Sequence, residues 1–121
     1  MAQTYTILGT TEHGVPSGNY DGSSQDWTSD PVQAADYYRG RGSSTQTVTF
    51  RLDNFVGRIV LEATLDSESS AATWFSTYTI GDPVTPLTDY HPVNIPGNFV
   101  WVRARVELFD QGTIQFVTIA Y

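Results

Sequence analysis

GRIVLEATLDSESSAATWFSTYTI, Gly57 to Ile80, reads as two β-strands joined by a polar loop, and the rest of the chain can be built around it. In its first strand Ile59, Leu61, Ala63 and Leu65 fall on one face. Arg58, Glu62 and Thr64 fall on the other, with Val60 the one apolar residue among them. Successive side chains leave opposite faces of an extended backbone, so this period of two marks a half-buried strand. The loop from Asp66 to Ala72 is small and polar, as a surface connection requires. Trp74 then opens an aromatic and β-branched run that ends at Ile80, a composition suited to a pleated surface.

Upstream, Val48, Phe50 and Leu52 alternate with Thr47, Thr49 and Arg51, so a strand begins near Thr45. Asp53-Asn54 is expected to turn the chain, and Gly57 to admit the central strand. Downstream, Pro83, Pro86, Pro92 and Pro96 punctuate residues 81–98. A proline nitrogen cannot donate to a ladder, so this stretch is expected to be a long crossover of the kind Greek keys use. Phe99 to Phe109 is the longest alternating run. It predicts a core face of Val100, Val102, Ala104, Val106 and Leu108, and an outward face of Phe99, Trp101, Arg103, Arg105, Glu107 and Phe109. Asp110-Gln111-Gly112 is expected to be a hairpin turn, leading into a last strand from Thr113 to Tyr121.

The first 44 residues are weakly patterned. Gly9, Gly14, Pro16, Gly18, Asn19 and Gly22 exclude a helix there. Only Pro31 to Tyr38 leans helical, with Asp30 as a cap and Gly40 as a stop; one helical turn or a structured loop fit it equally. Tyr20, Trp27, Tyr37 and Tyr38 give this region rings to pack, across the end of its own sandwich or around a neighbouring subunit. Strands without intervening helices predict an all-β fold, an antiparallel β-sandwich or jelly roll. The expectation is one domain, with residues 1–44 a loop-rich N-terminal arm packing on or between subunits and residues 45–121 the sandwich core.

A chain of 121 residues can bury a two-layer core without staples. It has no cysteine, which excludes disulfides and thiolate metal sites and fits folding in a reducing compartment. No signal peptide is visible at the N-terminus, and no apolar run reaches the length of a membrane span. The formal charge is −7, and all six basic residues are arginines. Without a basic cluster, phosphate-driven nucleic-acid binding is not expected. Guanidinium groups suit ordered ion pairs and stacked interface contacts, a hint of assembly.

Chemistry is sparse. His13 and His91 are far apart, each beside turn residues, and no nucleophile-elbow pattern surrounds a serine. Each histidine is expected to be exposed or locally bonded. Glu62, Asp66, Glu68 and Glu107 could supply a carboxylate pair for glycoside hydrolysis, but Glu62 and Glu107 sit on the outward faces of strands, where solvated charges and cross-strand arginine pairs are the commoner explanation. Asp66-Ser67-Glu68 and the trio Asp21, Asp26, Asp30 carry oxygen ligands without the spacing of a calcium loop. The expectation is no enzyme, no cofactor and no metal.

The order of features resembles the small β-sandwich structural proteins of tailed bacteriophages, in particular T4-like phages of marine bacteria. The resemblance rests on Leu61-Glu-Ala-Thr-Leu-Asp66, a serine-rich turn, Trp74-Phe75, a proline-bearing crossover, Val100-Trp-Val-Arg-Ala-Arg-Val106 and Gln111-Gly-Thr-Ile-Gln-Phe-Val-Thr-Ile119. It covers about the last two-thirds of the chain, and Asp36-Tyr-Tyr-Arg-Gly-Arg-Gly-Ser-Ser-Thr45 resembles the family's entry into its first strand. It implies a virion component, assembled in the host bacterial cytoplasm: a head decoration, a baseplate part or a tail-fibre part.

Phe99, Trp101, Arg103 and Arg105 are the row that stands out, because aromatics and arginine dominate binding hot spots. Three readings stand side by side: burial by the N-terminal loops of the same subunit, packing against another copy or another virion protein, or a sugar-stacking platform under a pyranose. Trp27, Tyr37, Tyr38 and Trp74 are candidate further contacts, and in the sugar reading Trp74, Tyr78 or Tyr90 are candidates to lie near Trp101. The expected function is a non-enzymatic virion structural protein, a homo-oligomer (trimer or higher) that also binds other virion proteins, with head decoration preferred because no coiled coil or repeat is visible. The alternative is a carbohydrate-binding module of a tail fibre recognising a host-surface glycan. Neither reading involves nucleic acid or membrane.

Overall fold

The structure, a computed structural model, describes residues 4–34, 45–66, 68–71, 73–97 and 99–121. Eight strands are present among them: β1 (Thr4–Leu8), β2 (Thr11–Glu12), β3 (Trp27–Thr28), β4 (Val32–Gln33), β5 (Thr45–Thr64), β6 (Phe75–Ile80), β7 (Leu87–Pro96) and β8 (Trp101–Ala120). The fold is all-β, in an arrangement consistent with a β-sandwich. β5 and β8, twenty residues each, run antiparallel from Thr47 opposite Ala120 to Thr64 opposite Trp101. The far edge of β8 takes β1, β2, β3 and β4 in turn: Leu8 lies opposite Val117, Thr11 opposite Ile114, Trp27 opposite Val106 and Val32 opposite Val102. The far edge of β5 takes β6 between Ala63 and Ile59, then β7 between Phe55 and Thr45. Four tracks result, the inner two continuous and the outer two interrupted.

The break between β2 and β3 on one edge and that between β6 and β7 on the other fall at one level, where β5 and β8 bend. The two turns expected at Asp53-Asn54 and Asp110-Gly112 are not turns. They face each other within the ladder, Asp53 opposite Thr113 and Val56 opposite Gln111. The register shifts between Arg51 and Leu52, Asp53 and Val56, and Val56 and Arg58. Such bulges bend a strand and sharpen its twist. Asn54 and Leu108 adopt positive φ (51° and 54°), as does Gly112 at 90°. A Cβ on Gly112 would overlap the Asn54 carbonyl, so glycine is what lets the strands approach here.

The bulge also inverts the alternation of β8. Val102, Ala104 and Val106 are buried as expected, but Leu108 is 38% exposed and Phe109 is fully buried. Leu65, expected inward, lies past the end of β5 and is exposed. The proline-bearing stretch is not only a crossover. It forms β7, an edge strand whose Pro92 and Pro96 share parity, so both nitrogens aim to one side, an arrangement an edge strand tolerates. The segment with helical leanings begins instead as β4, with Ala34 buried; the remainder, with Tyr37 and Tyr38, lies outside the described residues.

The bend divides the sheet into two halves that share one core. In the first half Val48, Phe50 and Leu52 face the same side as Ile119, Val117 and Ile114. In the second, Ile59, Leu61 and Ala63 pair with Val106, Ala104 and Val102. Phe50 of the first half stacks on Tyr78 of the second at 5.8 Å between centroids. Phe109 sits at the bend among Tyr20, Phe55 and Trp27, at 5.2, 5.5 and 6.4 Å. Residues 4–34 pack on their own chain, and Ile7, Leu8, Tyr20, Trp27 and Ala34 belong to the core cluster, which therefore extends well outside residues 45–121.

Candidate functional site

The outward row of β8 meets the outward row of β5 in the second half: Arg105 opposite Val60, Arg103 opposite Glu62, Trp101 opposite Thr64. All three β5 residues are buried although they point away from the shared core, because long side chains from β8 lie over them. Arg103 Nε donates to Glu62 Oε1 at 2.8 Å, and Arg105 Nε lies 3.5 Å from Glu62 Oε2. The second guanidinium also approaches Glu107, at 3.7 Å. A carboxylate at 8% exposure is costly to desolvate unless it is paired, and two guanidiniums supply that pairing. The cross-strand reading of Glu62 is thereby realised in geometry.

Trp74, just before β6, closes the row: the Arg103 guanidinium carbon stands 4.3 Å from its ring centroid. A guanidinium over an indole at this distance gains cation–π attraction. Phe99 precedes β8 and leaves the row. Its ring packs edge-on to Phe75 at 5.6 Å, over Gly97 and against the core cluster. Trp101 is half-buried in the row. Trp27 is buried among the rings at the bend, so it acts as core. The structure thus brings Trp74, Trp101, Arg103 and Arg105 together, adds Glu62, and sends Phe99 and Trp27 elsewhere. At the same end of the sheet, Leu65 and Phe75 stay exposed.

The other candidate groups are dispersed. Asp21 accepts from the backbone N–H groups of Ser24 and Ser23 at 2.7 and 2.9 Å, which hold its carboxyl at about 2, below the usual 3.8. Asp26 accepts from Leu108 N at the bulge, and Asp30 from the Asn19 amide. Each of the three serves a local hydrogen bond, and they do not converge. Among the described residues no group of three or more histidine or acidic side chains is placed to hold a metal ion. His13 lies edge-on to Phe109. His91 Nε2 shares a 2.9 Å hydrogen bond with the Tyr78 hydroxyl, tying β7 to β6 across the two halves.

A second surface lies away from the Trp101 row, and Tyr90 belongs to it. On the first half, Arg51, Asp53, Thr88, Tyr90 and Gln115 line a groove of about 480 Å³. Its signal was hidden because β7 was read as crossover, where the outward alternation of Thr88 and Tyr90 carries no meaning. Scanned against protein-family models, the curated proteins and the solved structures, the chain matches none of them.

Proposed function

We propose that the chain is a non-enzymatic virion structural protein, a jelly roll that assembles with itself and with other virion proteins. The pairing order carries this reading. On one side of the bend it is β1 and β2, β8, β5, β7; on the other it is β4 and β3, β8, β5, β6. That is the order obtained when a long antiparallel pair, flanked by two further tracks, is doubled over into two four-stranded layers. Viral capsid proteins and lectins both use this plan. Since one fold hosts many jobs, the assembly itself is argued from the surface.

The exposed Leu65 and Phe75 lie at the end of the sheet that also carries Trp74, Trp101 and the arginine row. Aromatic and arginine side chains are the composition of an interface centre, and the exposed apolar pair, on the Ala63 side of the sheet, adds apolar surface at the same end. Its partner is a second copy, in a trimer or larger ring, and then the particle, assembled in the host cytoplasm. Head decoration is preferred to a tail or baseplate part for a short all-β chain without a coiled coil. A glycan platform on this row is less well supported, because Arg103 and Arg105 already face Glu62 and Arg103 covers Trp74. Light scattering after size exclusion tests the reading: wild type runs as a trimer or larger ring, and Trp101→Ala or Phe75→Ser shifts it to monomer. Wild type that stays monomeric at every concentration speaks against self-assembly. Unfolding of Trp101→Ala places Trp101 in the core instead.

A further inference from the structure

We propose that the groove around Tyr90 binds a neutral sugar residue of an oligosaccharide. Tyr90, Arg51 and Phe116 form one cross-strand row over β7, β5 and β8, since Arg51 is opposite both. The Arg51 guanidinium carbon lies 5.1 Å from the Tyr90 ring centroid, and Phe116 meets that ring at 6.0 Å with the planes 88° apart. The tyrosine is therefore held by two neighbours, yet it is 59% exposed. A fixed, exposed ring is a platform for the C–H face of a pyranose, and holding it in place beforehand lowers the entropy cost of binding.

Polar groups stand around the platform. Thr88 Oγ1 accepts from Asn54 N at 3.0 Å, which leaves its hydroxyl proton to donate. Among the described residues, the side chains of Arg51, Asp53 and Gln115 form no hydrogen bond or ion pair. A carboxylate, an amide, a hydroxyl and a guanidinium around one ring match a saccharide, whose hydroxyls both donate and accept. Charge selects the neutral class. Asp53 offsets Arg51 within the groove, Asp89 adds a second carboxylate to its lining, and the whole chain carries −7, so an anionic polymer is repelled. The concavity itself arises from the bend: Gln115 is the extra residue between Ile114 and Phe116 where the register shifts.

The groove is on the first half and the Trp101 row on the second, so sugar binding and assembly fail independently. The purified full chain is applied to an array of neutral, sialylated and sulfated oligosaccharides. The strongest neutral oligosaccharide is then titrated calorimetrically against wild type, Tyr90→Ala and Asp53→Asn, each checked by thermal melting. A neutral oligosaccharide is expected to bind, with at least about tenfold loss in Tyr90→Ala from the missing platform and about tenfold in Asp53→Asn from the missing charged acceptor. Overturning results are no signal at millimolar sugar, signal confined to sialylated or sulfated oligosaccharides, or undiminished binding by a folded Tyr90→Ala variant.

Discussion

The two halves of the sheet are built from the same two strands, yet they treat their outer faces in opposite ways. In the first half the outer side chains of β5, Thr47, Thr49 and Arg51, stay half-buried or exposed, as do Phe116, Thr118 and Ala120 across from them on β8. In the second half the outer residues Val60, Glu62 and Thr64 are buried beneath Trp101, Arg103 and Arg105, with Trp74 against Arg103. The β5–β8 register is unbroken both from Thr47 to Arg51 and from Arg58 to Thr64, so the difference between these stretches lies in side-chain length. Threonines beside short or medium neighbours leave a face open; arginines opposite a carboxylate fold down over it. The open face gains a groove, and the closed face gains a partly buried ion pair around the Glu62 carboxylate.

What the halves share should be the most costly thing to remove. Phe109 is fully buried at the bend and contacts Tyr20, Phe55 and Trp27. Phe109→Ala is expected to lose about 3–5 kcal/mol in urea unfolding, with both halves melting in one transition. Two separate transitions would break the view that one core joins them. Next comes the glycine that permits the bend. Gly112→Ala forces a side chain into the Asn54 carbonyl at positive φ, and about 2–3 kcal/mol is the expected loss. A near-neutral result would mean that the inner strands can part here without consequence.

A pair of arginine deletions sharpens the contrast between the faces. Arg103→Ala removes the 2.8 Å partner of a carboxylate at 8% exposure, with Arg105 left to compensate in part. The expected loss is about 1–2 kcal/mol, and a double-mutant cycle with Glu62→Gln should recover most of it as coupling. Arg51→Ala, on the open face, removes only an exposed stack on Tyr90, for about 0.5 kcal/mol. Equal losses would erase the distinction between an open and a closed face.

Much of this was legible in the residues and some was not, for physical reasons. The hairpin from Gly57 to Ile80 and the alternation from Thr47 to Leu52 are read directly, since a half-buried strand imposes its period on sequence. Asp53-Asn54 and Asp110-Gln-Gly112 misled because a pair of facing bulges demands the same residues as a tight turn: positive φ and a missing side chain. Which of the two forms depends on the opposite strand, and no local window contains that. The inversion at Leu108 and Phe109 follows from the same bulge. β2, β3 and β4 are two residues each, too short for any period to register. At the site, Trp74, Trp101 and the arginines were picked by type; that Glu62 sits beneath them needed the register.

The smallest effect concerns the links between the halves. Each outer track changes halves through an aspartate-capped turn: Asp21 holds Ser23 and Ser24 between β2 and β3, and Asp82 holds Val84 and Thr85 between β6 and β7. Backbone N–H donation lowers both carboxyl pKa values, that of Asp21 to about 2 from 3.8. A folded pKa below the unfolded one means that the carboxylate's contribution is complete above the unfolded value, 3.8, and is lost as pH falls through the folded value, about 2. Both carboxylates are in water, so acid should loosen the links without moving the core of either half. In an acid titration followed by amide NMR, the Ser23 and Ser24 signals should shift with a midpoint near 2, and Asp21→Asn should abolish that shift. Phe50 and Val106, one in each half, should hold their positions through the same range. If their signals moved with those of Ser23, the crossings would be part of the shared core rather than links on its surface.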